Sequence, residues 1–289
     1  MDRALFGPAG SSTEFSENHR SSLEAPGYLE RMGLDCFEYQ CGRGVNIGDE
    51  KAAALGRKAQ EHNILMSLHS PYFINMSSAD PERMAKNLNY ILSSAHTCDL
   101  MGGDRVVVHC GGLSGMTRRQ ALDNTIMNIS MALGQLEEAG LSHISLCLET
   151  MGKMNVLGDL EEVLEVCSLF GEIVPCIDFG HLNCRTQGGM STEEHFSALL
   201  DRMDQLLGAE RAHSFHGHFS KIEYSKGGEV RHLTFEDETY GPEFEPLGRL
   251  LARRGLTPRI ICESAGTQDR DALFMKETYI KYIKDQEEE

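Results

Sequence analysis

The feature that most constrains this chain is an alternation. A short apolar, β-branched run is followed by a turn and then by a longer amphipathic run, again and again. Strand-like runs fall at Ala4–Phe6, Cys36–Tyr39, Leu65–His69, Arg105–His109, Ser145–Glu149, Val174–Asp178, Ser214–His218 and Ile260–Glu263. Helix-like stretches between them cover Glu82–Met101, Thr117–Glu138, Leu157–Leu169, Thr192–Leu207, Phe244–Arg254 and Ala272–Ile283. In Glu82–Met101, for example, Met84, Leu88, Ile91, Leu92 and Ala95 fall near helical spacing. Short strands alternating with helices predict a parallel sheet. Eight of them predict a closed α/β fold, the TIM (β/α)8 barrel, and a 289-residue chain suits one barrel of roughly 250 residues plus loops. No linker or low-complexity segment divides the sequence, so residues 1–289 read as a single domain. An open dinucleotide-binding sheet fits less well, because no glycine-rich loop follows the first strand.

Function is suggested by where polar residues interrupt this pattern. Six of the strand-like runs lead into a His or a carboxylate: His69, His109, Glu149, Asp178, His216 and Glu263. A parallel barrel presents the C-terminal ends of its strands on one face, and that face carries the active site. A single His or Glu after a strand is more often a hydrogen-bonded structural residue. Six at equivalent positions would crowd one small area, and such a cluster is costly to bury without compensating charge. Divalent metal ions supply that charge, and imidazole with carboxylate suits Zn2+, with Mn2+ or Fe2+ as alternatives. By contrast, His19, His62, His96, His143, His195 and His213 lie away from strand ends and read as surface or packing residues.

Composition narrows the setting. The formal net charge of −17 argues against a large non-specific nucleic-acid surface, though not against local contact with DNA. The nine Cys form no CxxC pair, so neither a disulfide framework nor a zinc ribbon is expected; Cys147, Cys176 and Cys262 read as buried. No apolar run is long enough for a membrane helix, and the N-terminal residues lack a signal-peptide pattern. A cytoplasmic, monomeric protein is expected.

Several segments together resemble the endonuclease IV family of abasic-site endonucleases, within the wider xylose isomerase-like barrels. They are His69-Ser70-Pro71-Tyr72-Phe73-Ile74-Asn75, Val107 to Gly112, Leu148-Glu149-Thr150, Ile177-Asp178-Phe179-Gly180-His181, His216 to Lys221, Arg231-His232 and Cys262-Glu263-Ser264. The resemblance implies two or three metal ions, mostly zinc. His69, His109 and Glu149 would hold one; Glu149 would bridge to a second held by Asp178, His216 and Glu263; His181 and His232 would serve a third. It also implies hydrolysis of DNA on the 5′ side of an abasic site, with Tyr72 and Phe73 in the loop that enters the DNA. The chain departs from the family pattern twice. A short Asn-Asp element is replaced by His218-Phe219-Ser220, and the expected Asp-x-His reads Glu229-Val230-Arg231-His232, the acid displaced by one position. Whether Glu229 replaces that Asp stays open at this level.

On a phosphodiester, metal ions would lower the pKa of a water and stabilise both attacking and leaving oxygens. Glu149 and Glu263 are the candidate catalytic carboxylates, and Lys221 and Arg231 the candidate phosphate contacts. A second reading is a ketose isomerase or epimerase, in which Glu149, Asp178, His216 and Glu263 hold one metal and the two Glu move protons. His69, His109, His181 and His232 enlarge the site beyond one ion and favour the phosphodiester reading.

Overall fold

The computed structural model describes residues 3–287. In chain order it contains β1 (Leu5–Pro8), α1 (Thr13–Asn18), α2 (Ala25–Met32), β2 (Cys36–Gln40), α3 (Asp49–Glu61), β3 (Leu65–His69), α4 (Pro81–Leu100), β4 (Arg105–His109) and α5 (Arg118–Glu138). Next come β5 (Ser145–Glu149), α6 (Leu160–Leu169), β6 (Val174–Asp178), α7 (Phe179–Arg185), α8 (Glu193–Leu207), α9 (Ala209–His213) and β7 (His216–Phe219). The chain ends with β8 (Ile222–Ser225), β9 (Gly228–His232), α10 (Glu245–Arg254), β10 (Arg259–Cys262) and α11 (Gln268–Glu287). Eight strands form one parallel sheet in the order β1-β10-β7-β6-β5-β4-β3-β2. Backbone bonds from Asp35 N–H to the Phe6 carbonyl and from Gly10 N–H to the Glu38 carbonyl, each 2.9 Å, link β1 to β2 and close the ring. The fold is the TIM barrel that the alternation predicts.

Local chemistry sets the element ends. Asp80 caps α4 through the backbone N–H groups of Glu82 and Arg83, with Pro81 in the first turn. Thr117 with Gln120, and Asp159 with Glu162, form capping boxes on α5 and α6. The α4 face bearing Met84, Leu88, Ile91, Ala95 and Cys98 is buried, as its helical period requires. Four predicted strand ranges shift by a residue or two. The first and last become Leu5–Pro8 and Arg259–Cys262, the second extends to Gln40, and the seventh runs His216–Phe219 instead of Ser214–His218. Helices α1, α2 and α3, the short α7 and α9, and the β8–β9 hairpin were not anticipated. Helix α3 buries only Ala52, Leu55 and Ala59, a weak apolar signal.

Strand alternation divides the apolar residues into two sets. Val106, Val108, Leu146, Leu148 and Ile177 join the large core beneath the helices. Val107, Cys147 and Cys176 form a separate cluster inside the barrel. The inward set has the parity of His109, Glu149 and Asp178. The inward layers therefore end in the polar residues of the strand tips. All nine Cys are buried and free, as expected for Cys147, Cys176 and Cys262.

Candidate metal centre

Glu149 at the tip of β5 is 1% exposed and occupies the middle of the site. Its two carboxylate oxygens face different partners. Oε2 lies 3.0 Å from His109 Nε2 and 3.3 Å from His69 Nε2. Oε1 lies 3.3 Å from His218 Nδ1 and 3.4 Å from His181 Nδ1. One carboxylate thus joins two groups of imidazoles. Burial alone would raise the Glu149 pKa, but the surrounding His109, His181 and His218 hold it well below the usual range. Burial likewise opposes charge on His69, yet Glu149 overrides it and lifts the imidazole to about 9.

The imidazoles are oriented in a common way. His69 Nδ1 is 2.8 Å from the Ser70 carbonyl, His109 Nδ1 is 3.1 Å from the Tyr72 carbonyl, and His181 Nδ1 is 2.9 Å from the Thr150 carbonyl. Each can donate Nδ1–H to a backbone oxygen and leave Nε2 free as a lone-pair donor, the arrangement that metal-binding His adopts. Asp178 Oδ1 accepts the backbone N–H of His181 at 2.7 Å, capping α7. Its Oδ2 is buried without a hydrogen bond.

The residues converge into groups whose potential ligand atoms lie within 4.8 Å of one another. Three of them carry the argument: His69, His109 and Glu149; Glu149, Asp178, His218 and Glu263; and His181, Glu229 and His232; two more join His69 with His218 and Glu263, and His216 with Cys176 and His218. Three carboxylates in the second group, with one orphaned oxygen, are what a divalent cation would satisfy. The donor set therefore fits metal ions of the hard-to-borderline type.

One of the expected residues, His216, lies apart from these three groups; His218 takes its place. The reason is the late start of β7. Residues 216 and 218 share the inward parity, but His218 pairs in register with Asp178 at the site, whereas His216 pairs with Cys176 one layer deeper. There His216 contacts Glu38 Oε2 through Nε2 at 2.9 Å. Burial pushes His216 down to about 4, outweighing Glu38, so it is a neutral donor.

Glu38 is the residue that sequence reasoning missed. It is fully buried on β2, where Ser67 Oγ donates to its Oε2 at 3.1 Å and His218 Nε2 lies 3.1 Å from its Oε1. It therefore sits behind His218, on the nitrogen opposite the metal-facing Nδ1. The one signal available, a charge between Phe37 and Tyr39, is also what ordinary alternation gives and does not single the residue out.

The third group depends on the β8–β9 hairpin. Residues three apart on a regular strand point to opposite faces, which would separate Glu229 from His232. Here Tyr224 pairs with Glu229 and Glu223 with Arg231, so Val230 is an extra, bulged residue. The bulge brings both side chains towards His181: Glu229 Oε2 is 3.5 Å from His181 Nε2, and the His181 and His232 ring centroids are 5.7 Å apart. Ser220 Oγ contacts His232 Nδ1 at 2.8 Å. The hairpin docks on the loop after β5, with Glu229 N–H on the Gly152 carbonyl at 3.3 Å and Met154 N–H on the Gly227 carbonyl at 3.0 Å.

Around the metal-facing residues opens a cavity of about 570 Å³, lined among others by His69, Tyr72, Phe73, His109, Glu149, His181, Glu229, His232 and Glu263. Tyr72 and Phe73 stand at its mouth, 56% and 40% exposed. The two expected basic contacts are less free than anticipated. Lys221 is buried, and its ammonium donates to the Asp237 carbonyl at 2.7 Å and to Glu243 Oε1 at 2.6 Å; it braces the loop after β9 instead of facing the cavity. Arg231 is exposed but paired with Glu223 at 2.7 Å.

Known proteins resemble this chain over half to nearly all of its length. An uncharacterized protein of Methanocaldococcus jannaschii is 28% identical over 272 residues, covering 94% of this chain and 96% of the relative. A protein named probable endonuclease 4 from Mycoplasma pneumoniae is 28% identical over 170 residues, 56% of each chain. The match thus spans about half of that relative. Among solved structures, a D-tagatose 3-epimerase-like protein superposes with a TM-score of 0.71 at 20% identity, covering 98% of this chain and 99% of the other. Endonuclease IV from Thermus thermophilus does so with a TM-score of 0.67 at 16% identity, covering 97% and 99%. At these identities the structures support the fold alone. The family described as "Xylose isomerase-like TIM barrel" matches residues 27–281. This chain belongs to the xylose isomerase-like TIM barrel family, with endonuclease IV among its relatives.

Proposed function

We propose that this chain is a metal-dependent phosphodiester hydrolase that cleaves DNA on the 5′ side of abasic sites. The observation that carries the reading is Glu149, whose two oxygens face two separate sets of imidazoles. A carboxylate between two groups of potential ligands suits neighbouring ions that act together on one phosphate, and a single-ion site does not call for one. His69, His109 and Glu149 would hold one ion, Glu149, Asp178, His218 and Glu263 a second, and His181, Glu229 and His232 a third. Zinc is the first choice, with manganese or iron next. Bound there, the ions supply Lewis-acid charge for the phosphate oxygens and a nucleophile at neutral pH.

The protein's own part is positioning. Glu149 fixes the spacing between the ion sites. Glu263 lines the cavity and is the carboxylate placed to orient the attacking water and hold its proton. The backbone carbonyls of Ser70, Tyr72 and Thr150 hold three imidazoles in one tautomer. Tyr72 and Phe73 supply an aromatic edge that can fill the gap left by a missing base. Arg231, exposed beside His232, would have to leave its pairing with Glu223 to contact a phosphate. Lys221 serves the loop and is withdrawn as a phosphate contact.

The test is a duplex carrying one synthetic abasic site, incubated with and without chelator, alongside metal analysis of the purified protein. Chelator-sensitive cleavage 5′ to the lesion, with two or three ions per chain, is the expected result. Turnover of a ketose with one ion per chain and an intact duplex would overturn it. That outcome would favour the epimerase reading, whose supporting observation is the compact quartet of Glu149, Asp178, His218 and Glu263.

A further inference from the structure

The cavity over the metal-binding residues does not end at the aromatic loop. A second recess of about 420 Å³ shares Phe73 and Asn75 with it and is otherwise lined by Arg83, Lys86, Asn87 and Tyr90 of α4. Arg83, Lys86 and Tyr90 stand three and four residues apart, on one face of the helix near its N-terminal end. Many basic residues of this acidic protein are spent on carboxylates, among them Arg118, Arg119, Arg202 and Arg270. Arg83 and Lys86 are exposed, and among the described residues neither side chain is in an ion pair. The Asp80 carboxylate beside them turns its Oδ1 to the backbone N–H groups of Glu82 and Arg83 that it caps. The rings continue from the metal cavity into the recess: Tyr72 to Phe73 at 5.8 Å and Phe73 to Tyr90 at 5.0 Å, both edge to face. Tyr90 is 37% exposed. Asn87 is committed to the Asn75 carbonyl at 2.8 Å, which ties the helix to the loop.

Free cations beside an exposed aromatic row have a known chemical partner. Guanidinium and ammonium groups take phosphate oxygens, while the rings take the face of a base or the edge of a sugar. We propose that this recess is a second nucleic-acid subsite, in which Arg83 and Lys86 bind the backbone phosphates of the strand leading away from the metal centre and Tyr90 packs against an adjacent nucleotide. The inference rests on the phosphodiester reading above and extends it. A lone sugar would fit within the first cavity and leave this one unused.

The experiment is binding of a fluorescent duplex with a synthetic abasic site and a non-hydrolysable linkage on its 5′ side, followed by anisotropy against salt concentration. Each phosphate contact contributes roughly 0.9 to the slope of log affinity against log salt. The double variant Arg83→Gln/Lys86→Gln should flatten the slope by about two such increments. Tyr90→Ala should weaken binding by roughly five- to a hundred-fold while leaving the slope alone. Lys281→Gln/Lys284→Gln, the same charge change at the far end of α11, should leave the slope as it is. If the Arg83/Lys86 variant behaves like the α11 variant while the parent protein binds the duplex, the subsite is overturned and the abasic-site reading survives. A parent protein that ignores the duplex but turns over a ketose overturns both.

Discussion

The centre has two halves built in different ways. His69, His109, Glu149, Asp178, His218 and Glu263 sit on, or one residue past, strands of the closed barrel, where His69, Glu149 and His218 pair with both neighbouring strands and His109 and Asp178 with one. Glu229 and His232 sit on a two-stranded hairpin with a bulge, docked on the loop after β5 by a few backbone bonds. His181 on α7 touches both halves. Strand tips in a barrel cannot shift singly, because each is held by the whole ring. A hairpin can gain or lose a residue and keep its turn. Both halves depart once from the endonuclease IV resemblance, the barrel at His218-Phe219-Ser220 and the hairpin in the spacing of Glu229 and His232. The difference teaches that the barrel residues are held by the closed ring, whereas the hairpin residues depend on local spacing.

The sharpest way to break this comparison is at the bridge. Glu149→Ala should empty the two barrel sites together and lower activity by roughly 10³-fold or more, since the electrostatic stabilisation of both is lost. Metal analysis checks it: loss of one ion with the other retained would show that Glu149 does not bridge. The next effect is expected from Glu38, which touches no cavity. Glu38→Ala leaves the buried nitrogens of His216 and His218 without their carboxylate, and breaking such a buried pair costs roughly 3–5 kcal/mol. Its loss should also weaken ion binding through His218 by roughly ten- to a hundred-fold. Thermal melting and metal titration test both; Glu38→Gln should recover much of the stability but less of the metal affinity. If Glu38 only fills space, Gln will restore both.

Legibility followed the same division. The tips of β3, β4, β5 and β6 were readable to the residue, because each apolar run closes on one His or carboxylate with no rival candidate at the tip. The tip of β7 was not. Ser214-Phe215-His216-Gly217-His218 offers two His of equal parity, and only the register with Asp178 distinguishes them. Glu38 was invisible because a single charge in Cys36-Phe37-Glu38-Tyr39-Gln40 looks like ordinary alternation; its partners lie on strands far away in sequence. Lys221 was misjudged because its carboxylate, Glu243, is 22 positions downstream. Helix α3 escaped for another reason: its buried face is mostly Ala, which carries little hydrophobic signal.

The hairpin half provides the milder tests. Gly152 lies so close to it that an added Cβ would stand 2.8 Å from both Glu229 Cβ and His181 Cδ2. Gly152→Ala should therefore push the hairpin outward, lose one ion per chain and leave the other sites filled, with an effect on ion affinity of roughly ten- to a hundred-fold. Glu229→Gln should do the same without disturbing the backbone, which separates loss of the ligand from loss of the docking.

Deleting Val230 should have the smallest effect of all. Val230 is 51% exposed and is the residue absorbed by the bulge. Its removal leaves Glu and His two apart on a regular strand, where they share a face without a bulge. If the bulge exists only to accommodate the extra residue, the deletion variant keeps its full metal content and loses little stability. If it instead aims Glu229 at His181, the deletion costs the third ion, as Glu229→Gln does. The comparison of ion content between these two variants decides whether the bulge aims Glu229 at His181 or only absorbs the extra residue.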